Sequence, residues 1–305
     1  MGTLATGDLT TLATAKAFLP NAPNDAVLSG MITRVSRGIL NYIHRGSVVP
    51  ANYVEKYNGQ NTDQLVLYNW PLIALNELKI YNQVIPPANP PTVNGFPTTS
   101  PWGYRIAPTE INPPGSPAVV ELVGGWNYWR GNLTTVVSYR AGYMVAGEIQ
   151  TIPATPFQVT PMMPYGQWAT DESVTNVATG ELMTPMPPNT TPLLTGQYIP
   201  PNPSVGQAYY AFSASDTGVQ VSLAYGYVPA DLEEAVLEAT AERSAYRSRP
   251  GIRSQSLAAQ ESISYGTDGS NSSSVGSGSG GFSSYVCGIL SSYCNVLPPP
   301  MGGDV

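Results

Sequence analysis

Charged residues are scarce in this sequence, and their scarcity narrows the classes of protein it can be. They make up 11% of the 305 residues, against about 25% in ordinary soluble domains. Acidic side chains outnumber basic ones by 20 to 13, so the net charge is -7. A chain with this balance gains little counterion-release energy from phosphates, which excludes DNA or RNA binding by non-specific affinity.

Histidine and cysteine are nearly absent. The one histidine, His44, lies at the predicted end of a helix, and nothing near it resembles a Ser-His-Asp or Cys-His arrangement. Cys287 and Cys294 would be about 10 Å apart along a helix, which is too far for one disulfide. Without a third ligand they predict no metal site either.

Carboxylate pairs offer little more to a catalytic interpretation. They could support glycoside hydrolysis, but no spacing singles out a pair. The candidates in aromatic-rich segments are Glu110, Glu121, Asp171, Glu172 and Asp216. We therefore predict that the protein is not an enzyme and has no catalytic residues, no metal and no cofactor.

Long apolar runs are also missing. No stretch reaches the 18 or so consecutive apolar residues that a membrane helix needs, and residues 1–8 have no basic region. The sequence therefore predicts neither secretion nor a membrane partner.

The Gly/Ser run within 267–281 lacks the strand before it and the Lys-Ser/Thr after it that a phosphate loop requires, so it predicts a linker.

What the sequence does contain is 42% hydrophobic residues, which suffice for a core, together with 30 prolines and 30 glycines. This composition predicts long ordered loops. It is typical of a structural protein held in an assembly, and a loop-rich secreted β protein has the same composition. Both interpretations remain open on composition alone.

The helix predicted over residues 229–249 has the clearest signals. Asp231 is placed to cap its start, arginines gather near its end, and Pro250 stops it. Its narrow, alanine-backed stripe predicts close packing against a neighbour. The residues assigned to packing on this helix are Leu232, Ala235, Val236, Ala239, Arg243 and Tyr246.

Two further helices are predicted near the N-terminus. One covers 9–19 with Thr10 or Thr11 as its cap, and the other has Asn24 or Asp25 as its cap and stops at Gly46. On the second, arginines occupy the flanks of an apolar stripe. Such arginines indicate a solvated face or inter-subunit polar contacts, for which we propose Arg34, Arg37 and, from the later helix, Arg247.

The intervening sequence has β-type periodicity. Short runs between 52 and 143, among them 103–106 and 119–123, predict a small, mostly antiparallel sheet. Residues 147–227 predict an inserted β subdomain with clear alternation at Val219, Val221, Leu223 and Tyr225. One aromatic set indicates either a sugar-binding platform or core and interface anchors. It consists of Trp102, Tyr104, Trp126, Tyr128 and Trp129.

The order of these parts resembles the tailed-phage head-tail connector (adaptor, head-completion) family. Four segments carry the resemblance. They are the opening 8–19 with 24–42, the apolar-proline turn at Trp70-Pro71-Leu72-Ile73, the strand ending Tyr139-Arg140-Ala141-Gly142-Tyr143 and the helix starting Pro229-Ala230-Asp231-Leu232. It covers 7–146 and 228–296. The departure is the segment 147–227, where the family passes from strand to helix within a few residues.

The resemblance implies an α+β fold, with a helical connector core made of two N-terminal helices and a long helix near 230–249, a small antiparallel sheet and the inserted β-rich subdomain. The predicted domains are a discontinuous core over 1–146 and 228–266, the insert 147–227, the linker 267–281 and a C-terminal docking peptide 282–305. The side chains of that peptide expected to dock on the portal are Phe282, Tyr285, Val286, Ile289, Leu290 and Tyr293.

The resemblance also implies a structural virion protein at the neck, made in the host cytoplasm. Copies would form a ring, usually of about twelve, between the portal protein and the tail, with the insert facing other neck proteins or tail fibres. Genome DNA would pass through the channel without specific binding, as an acidic wall permits. The alternative is a carbohydrate- or receptor-binding β protein of the phage tail.

Overall fold

A computed structural model describes residues 7–88, 92–93, 96–97, 102–107, 112–202, 207–248, 254–257, 261–264 and 282–294. The chain divides into two compact units. The first unit comprises Met1–Gly46 and Val145–Cys294, and the second unit comprises Ser47–Met144 and Asn295–Val305.

The second unit is built from short antiparallel strands. Its strands are β1 (Ala51–Gly59), β2 (Gln64–Val66), β3 (Leu72–Ile80), β4 (Gln83–Ile85), β5 (Thr92–Val93), β6 (Phe96–Pro97), β7 (Gly103–Ile106), β8 (Val119–Val123) and β9 (Gly131–Ala141). They form sheets in the orders β1-β9-β3-β4, β2-β8-β7 and β5-β6. Alternate residues of β8 and β9, such as Val120, Leu122 and Val137, are buried in one core, as period-two patterning requires.

The first unit has its own strands. They are β10 (Met144–Thr151), β11 (Gln158–Val159), β12 (Gly166–Asn176), β13 (Thr184–Pro185), β14 (Gln197–Ile199), β15 (Tyr210–Phe212), β16 (Gln220–Pro229), β17 (Ser254–Leu257) and β18 (Glu261–Ser264). They form sheets in the orders β10-β16-β12, β11-β15-β14-β13 and β17-β18. The predicted alternation is confirmed on β16, where Val221, Leu223 and Tyr225 are buried.

The helices of the first unit are α1 (Leu12–Phe18), α2 (Asp25–Tyr42), α3 (Ala230–Ser248) and α4 (Ser284–Ser291). Thr11 caps α1 by accepting from the Thr14 N–H, and Asn24 caps α2 by accepting from the Val27 N–H. The second helix ends before the predicted Gly46, because His44 has the left-handed φ of 55°. Leu19, Ile32 and Leu237 belong to a core shared by α1, α2 and α3.

The predicted fold class is wrong. Strands hold 39% of the residues and helices 23%, in several antiparallel sheets, which is not a helical connector core with a small sheet. The 11-residue strand β12 shows why the sequence underestimated the strand content. Only Trp168 and Val174 of its largely polar sequence are buried. Pairing with β16 along its length holds it extended, so neither apolar alternation nor strand propensity signals it.

The boundaries of the compact units differ from those of the predicted domains, and the predicted domains stay a prediction. They divide the chain at 46/47 and 144/145, whereas the sequence predicted divisions at 146/147 and 227/228. Strand β16 runs directly into α3 at Pro229 and Ala230, so residues on both sides of the predicted 227/228 division belong to the first unit. That 147–227 is an insertion remains a prediction, and the linker 267–281 lies outside the described residues.

Candidate functional site

The C-terminal peptide forms α4 and packs on α2 and α3 of its own chain. Ser283 caps the helix by accepting from the Val286 N–H. Phe282, Val286, Leu290 and Tyr293 follow at helical spacing, and all are buried. Of the other predicted docking residues, Ile289 is half-buried and Tyr285 is exposed. We call the surface of α2 and α3 that receives α4 the α4 groove.

The end of the α4 groove that receives Phe282 contains an aromatic side chain. The Phe282 ring meets Tyr42 of α2 edge-on, with ring centroids 6.2 Å apart. The guanidinium of Arg243 on α3 lies 5.9 Å from the centroid of the same ring, in cation-π geometry. Gly38 leaves room for the ring, since a Cβ there would lie 3.2 Å from Phe282 Cζ.

Two tyrosines hold α4 in register by donating to acids at the start of α3. The Tyr293 hydroxyl donates to both carboxylate oxygens of Asp231, at 2.5 and 2.6 Å. Tyr285 donates to Glu234 at 2.6 Å, and this bond raises the pKa of Tyr285. Asp231 lies in the first turn of α3, where it also accepts from the Leu232 N–H at 3.0 Å, as the sequence predicted for the start of this helix.

The ring-packing residues predicted on α3 face the interior of the chain. Leu232, Ala235, Val236 and Ala239 are all buried, and α3 contacts α1, α2, α4, β12 and β16. The small side chains permit this close approach on several sides. Arg243 is exposed, and the side chains of Tyr246 and Arg247 lie outside the described part of the chain.

The two arginines proposed for inter-subunit contacts on α2 are exposed. Arg34 lies on the solvent side, and Arg37 lines a cavity of about 220 Å³. Asp8, Asn41 and Arg45 line the same cavity. An exposed arginine beside a polar cavity suits a charged contact with another surface.

Tyrosine hydroxyls, rather than lysine or arginine, satisfy many of the carboxylates. Asp171 accepts from Tyr198 at 2.7 Å and from Tyr210 at 3.1 Å, and Glu148 accepts from Tyr225 at 2.6 Å. Ion pairs such as Lys16–Asp25 and Lys79–Glu77 also occur. Our sequence interpretation missed the hydrogen bonds from tyrosines to carboxylates. The available signal was the count of 19 tyrosines against 13 basic residues.

The acidic residues considered for glycoside hydrolysis lie on several elements, and Asp171 and Glu172 are neighbours on β12. Asp171 is engaged by two phenols, whereas Asp216 is buried and accepts from the Gly196 N–H at 3.1 Å. Glu121 lies on β8 of the other unit, and Glu110 falls outside the described residues. Throughout the part of the chain that the structure describes, no three His, Cys, Asp or Glu side chains group as metal ligands would.

Two of the first unit's carboxyls predict a pH dependence of its stability. Partial burial raises the pKa of Asp171 and of Glu233, against the lowering effect of their hydroxyl donors. A raised folded-state pKa contributes stability that is present below the unfolded pKa and is lost as the pH rises through the folded pKa. We therefore expect the melting temperature of the double variant Asp171→Asn, Glu233→Gln to fall less than that of the wild type as the pH rises from 4 to 7.

Thermal unfolding followed by circular dichroism at several pH values measures this difference. The exposed Glu242→Gln is the control and should follow the wild type. A double variant whose melting temperature falls as steeply as that of the wild type would contradict the prediction.

The aromatic set of the second unit divides into core and surface. Tyr128 is buried and donates to the Val120 carbonyl at 3.1 Å, and Tyr104 packs on the same core. The three indoles form a cluster, with Trp126 lying 6.3 Å from Trp102 and 5.2 Å from Trp129 between ring centroids. Trp102 and Trp129 are 48% and 41% exposed, so the cluster leaves two indoles accessible at the surface.

No protein-family model matches the chain, and a comparison with curated proteins finds no match. The connector resemblance therefore rests on the motifs themselves and on how the chain arranges them. Among the described helices, none combines the length and apolar character needed to cross a membrane.

Proposed function

We propose that the protein is a structural subunit of a tailed-phage neck, forming a ring between the portal and the tail. The observation that carries this proposal is the packing of the motif-bearing helices. Helices α1, α2 and α3 contact one another, and the Thr10 hydroxyl donates to Glu233 at 2.9 Å across a long stretch of sequence. The three helical segments that resemble connectors thus build one cluster, whereas the turn at 70–73 and the strand ending at Tyr143 belong to the second unit.

Surface composition supports a role within an assembly. Several large apolar side chains of the second unit are exposed, and charge is scarce. Exposed apolar surface of this kind favours contact with other protein surfaces. The exposed residues are Val54, Val66, Tyr81, Val84, Ile106 and Leu133. The proposed partners are further copies of the chain, the portal, and tail or neck proteins.

Two parts of the proposal concern particular surfaces. The net charge of -7 suits a channel that genome DNA crosses without binding. Portal contact would use the outward side of α4, with Tyr285 and Ile289, because the other docking residues are buried in the α4 groove. The large β content means that this neck subunit would carry more sheet than the resemblance implied.

The test is the assembly state of the purified full chain and its place in virions. Negative-stain electron microscopy and native mass spectrometry should show closed rings of about twelve copies, and antibodies should label the neck of particles that contain the protein. A second candidate, glycan or receptor binding at the tail, is favoured by the exposed tryptophan cluster. A monomer or trimer that binds glycan and is absent from the neck would support that candidate and refute the ring.

A further inference from the structure

The α4 groove has the features of a helix-binding site. Four apolar anchors enter it from one face of α4, at i, i+4, i+8 and i+11 from Phe282, which is the spacing of helix-in-groove recognition. Tyr285 and Tyr293 add directional bonds to α3. The Cys294 thiol also approaches the Tyr42 carbonyl, at 3.9 Å. These contacts define which helix binds and in which register.

The connection to α4 is much longer than the groove requires. Helix α3 ends at Ser248 and α4 begins at Ser284, whereas neighbouring helices need connections of only about 2–8 residues. Residues 249–283, 35 in all, join the two helices, so the length of the chain does not restrict α4 to the groove of its own copy. The same helix could therefore reach the groove of an adjacent copy.

We propose that, in the assembled ring, the α4 groove takes α4 from a neighbouring copy, so that each chain is fastened to the next. This inference rests on the proposed ring. Exchange of an identical element preserves every contact of α4 with α2 and α3. Assembly also places a second α4 at high effective concentration beside each groove. The occupant is thus a second copy of the chain.

Two full-length variants with complementary defects test the exchange. Leu290→Asp places a charge at a fully buried anchor, which disables α4 and leaves the groove intact. Gly38→Leu fills the space of the Phe282 ring and disables the groove while leaving α4 intact. When the two are mixed, the intact α4 of one should enter the intact groove of the other.

The expected result is a mixed species of one chain of each variant, with twice the 32.3 kDa chain mass. Native mass spectrometry should detect a species of this size in the mixture and not in Leu290→Asp alone. Gly30→Leu is the matched control for a leucine on α2, since a Cβ there meets nothing within 4 Å, and it should assemble as the wild type does. A mixture of Gly38→Leu with the double variant Gly38→Leu, Leu290→Asp should form no mixed species. Two folded variants that do not associate would overturn the proposal.

A second measurement uses chains without these defects. Heavy and light isotope-labelled chains are mixed before assembly and then irradiated. Each chain carries a photo-reactive phenylalanine analogue at the half-buried position 289. Exchange predicts that about half of the links from α4 to α2 or α3 join a heavy to a light chain. Links only between peptides of the same label would refute it, even if a substituted variant failed to fold.

The ring and the exchange can fail separately. Wild-type rings that yield only same-label links would refute the exchange and leave the ring standing. A mixed species from the complementary variants, without wild-type rings, would refute the ring and show that the groove accepts a second chain's α4.

Discussion

Glu55→Ala is expected to lower the free energy of unfolding of the second unit by about 3–5 kcal/mol. The Glu55 carboxylate accepts from Tyr57, from Tyr139 at 2.6 Å and from the Asn69 amide at 2.8 Å. These donors are buried, and each buried group left without its acceptor costs about 1–3 kcal/mol. Since whole domains are stable by about 5–15 kcal/mol, the loss is a large share of the stability expected for this unit.

Urea unfolding followed by tryptophan fluorescence measures this effect. Glu55→Gln keeps one acceptor oxygen and should lose roughly half as much. Lys56→Ala changes the exposed neighbour on β1 and should stay within about 0.5 kcal/mol of the wild type. If Glu55→Ala unfolds at the wild-type urea concentration, the carboxylate is not what satisfies the tyrosines.

Gly59→Ala is expected to cost about 3 kcal/mol or more and to disturb the tryptophan cluster. A Cβ at Gly59 would lie 1.7 Å from the Trp129 carbonyl oxygen and 3.0 Å from that of Tyr128. Both obstacles are backbone atoms, so no side-chain rotation relieves the clash. The strand β1 or the segment carrying Trp126 and Trp129 must shift.

Equilibrium unfolding and the tryptophan emission spectrum together test this prediction. Gly30→Ala is the control, because a Cβ there meets nothing within 4 Å; it should gain about 0.5–1 kcal/mol from the better helix former and leave the emission unchanged. Wild-type stability and emission in Gly59→Ala would show that the close approach is not required.

Local signals were sufficient for several elements. The N-caps of α1 and α2 lie within the predicted alternatives, at Thr11 and Asn24, because a cap bonds to N–H groups only a few residues away. Strands β7 and β8 have the predicted bounds, 103–106 and 119–123. Their signals, β-branched or aromatic residues between turn formers, are also local.

Long-range pairing defeated prediction elsewhere. The polar strand β12 exists because β16 pairs with it, and sequence periodicity carries no record of that partner. The tyrosine-carboxylate bonds are of the same kind, since Tyr139 and Glu55 are 84 residues apart. Any tyrosine in the chain could have been the donor until the sheets aligned these two side chains.

The sequence by itself determined where helices begin and which faces are apolar, because caps and periodicity depend on residues within one or two turns. Only the tertiary structure decided what those faces contact. The alanine stripe of α3 is buried inside its own chain, and the apolar face of α4 lies in the α4 groove. An apolar face is favourable against any complementary surface, so its partner is decided by the packing of distant segments and by directional bonds such as that from Tyr293 to Asp231.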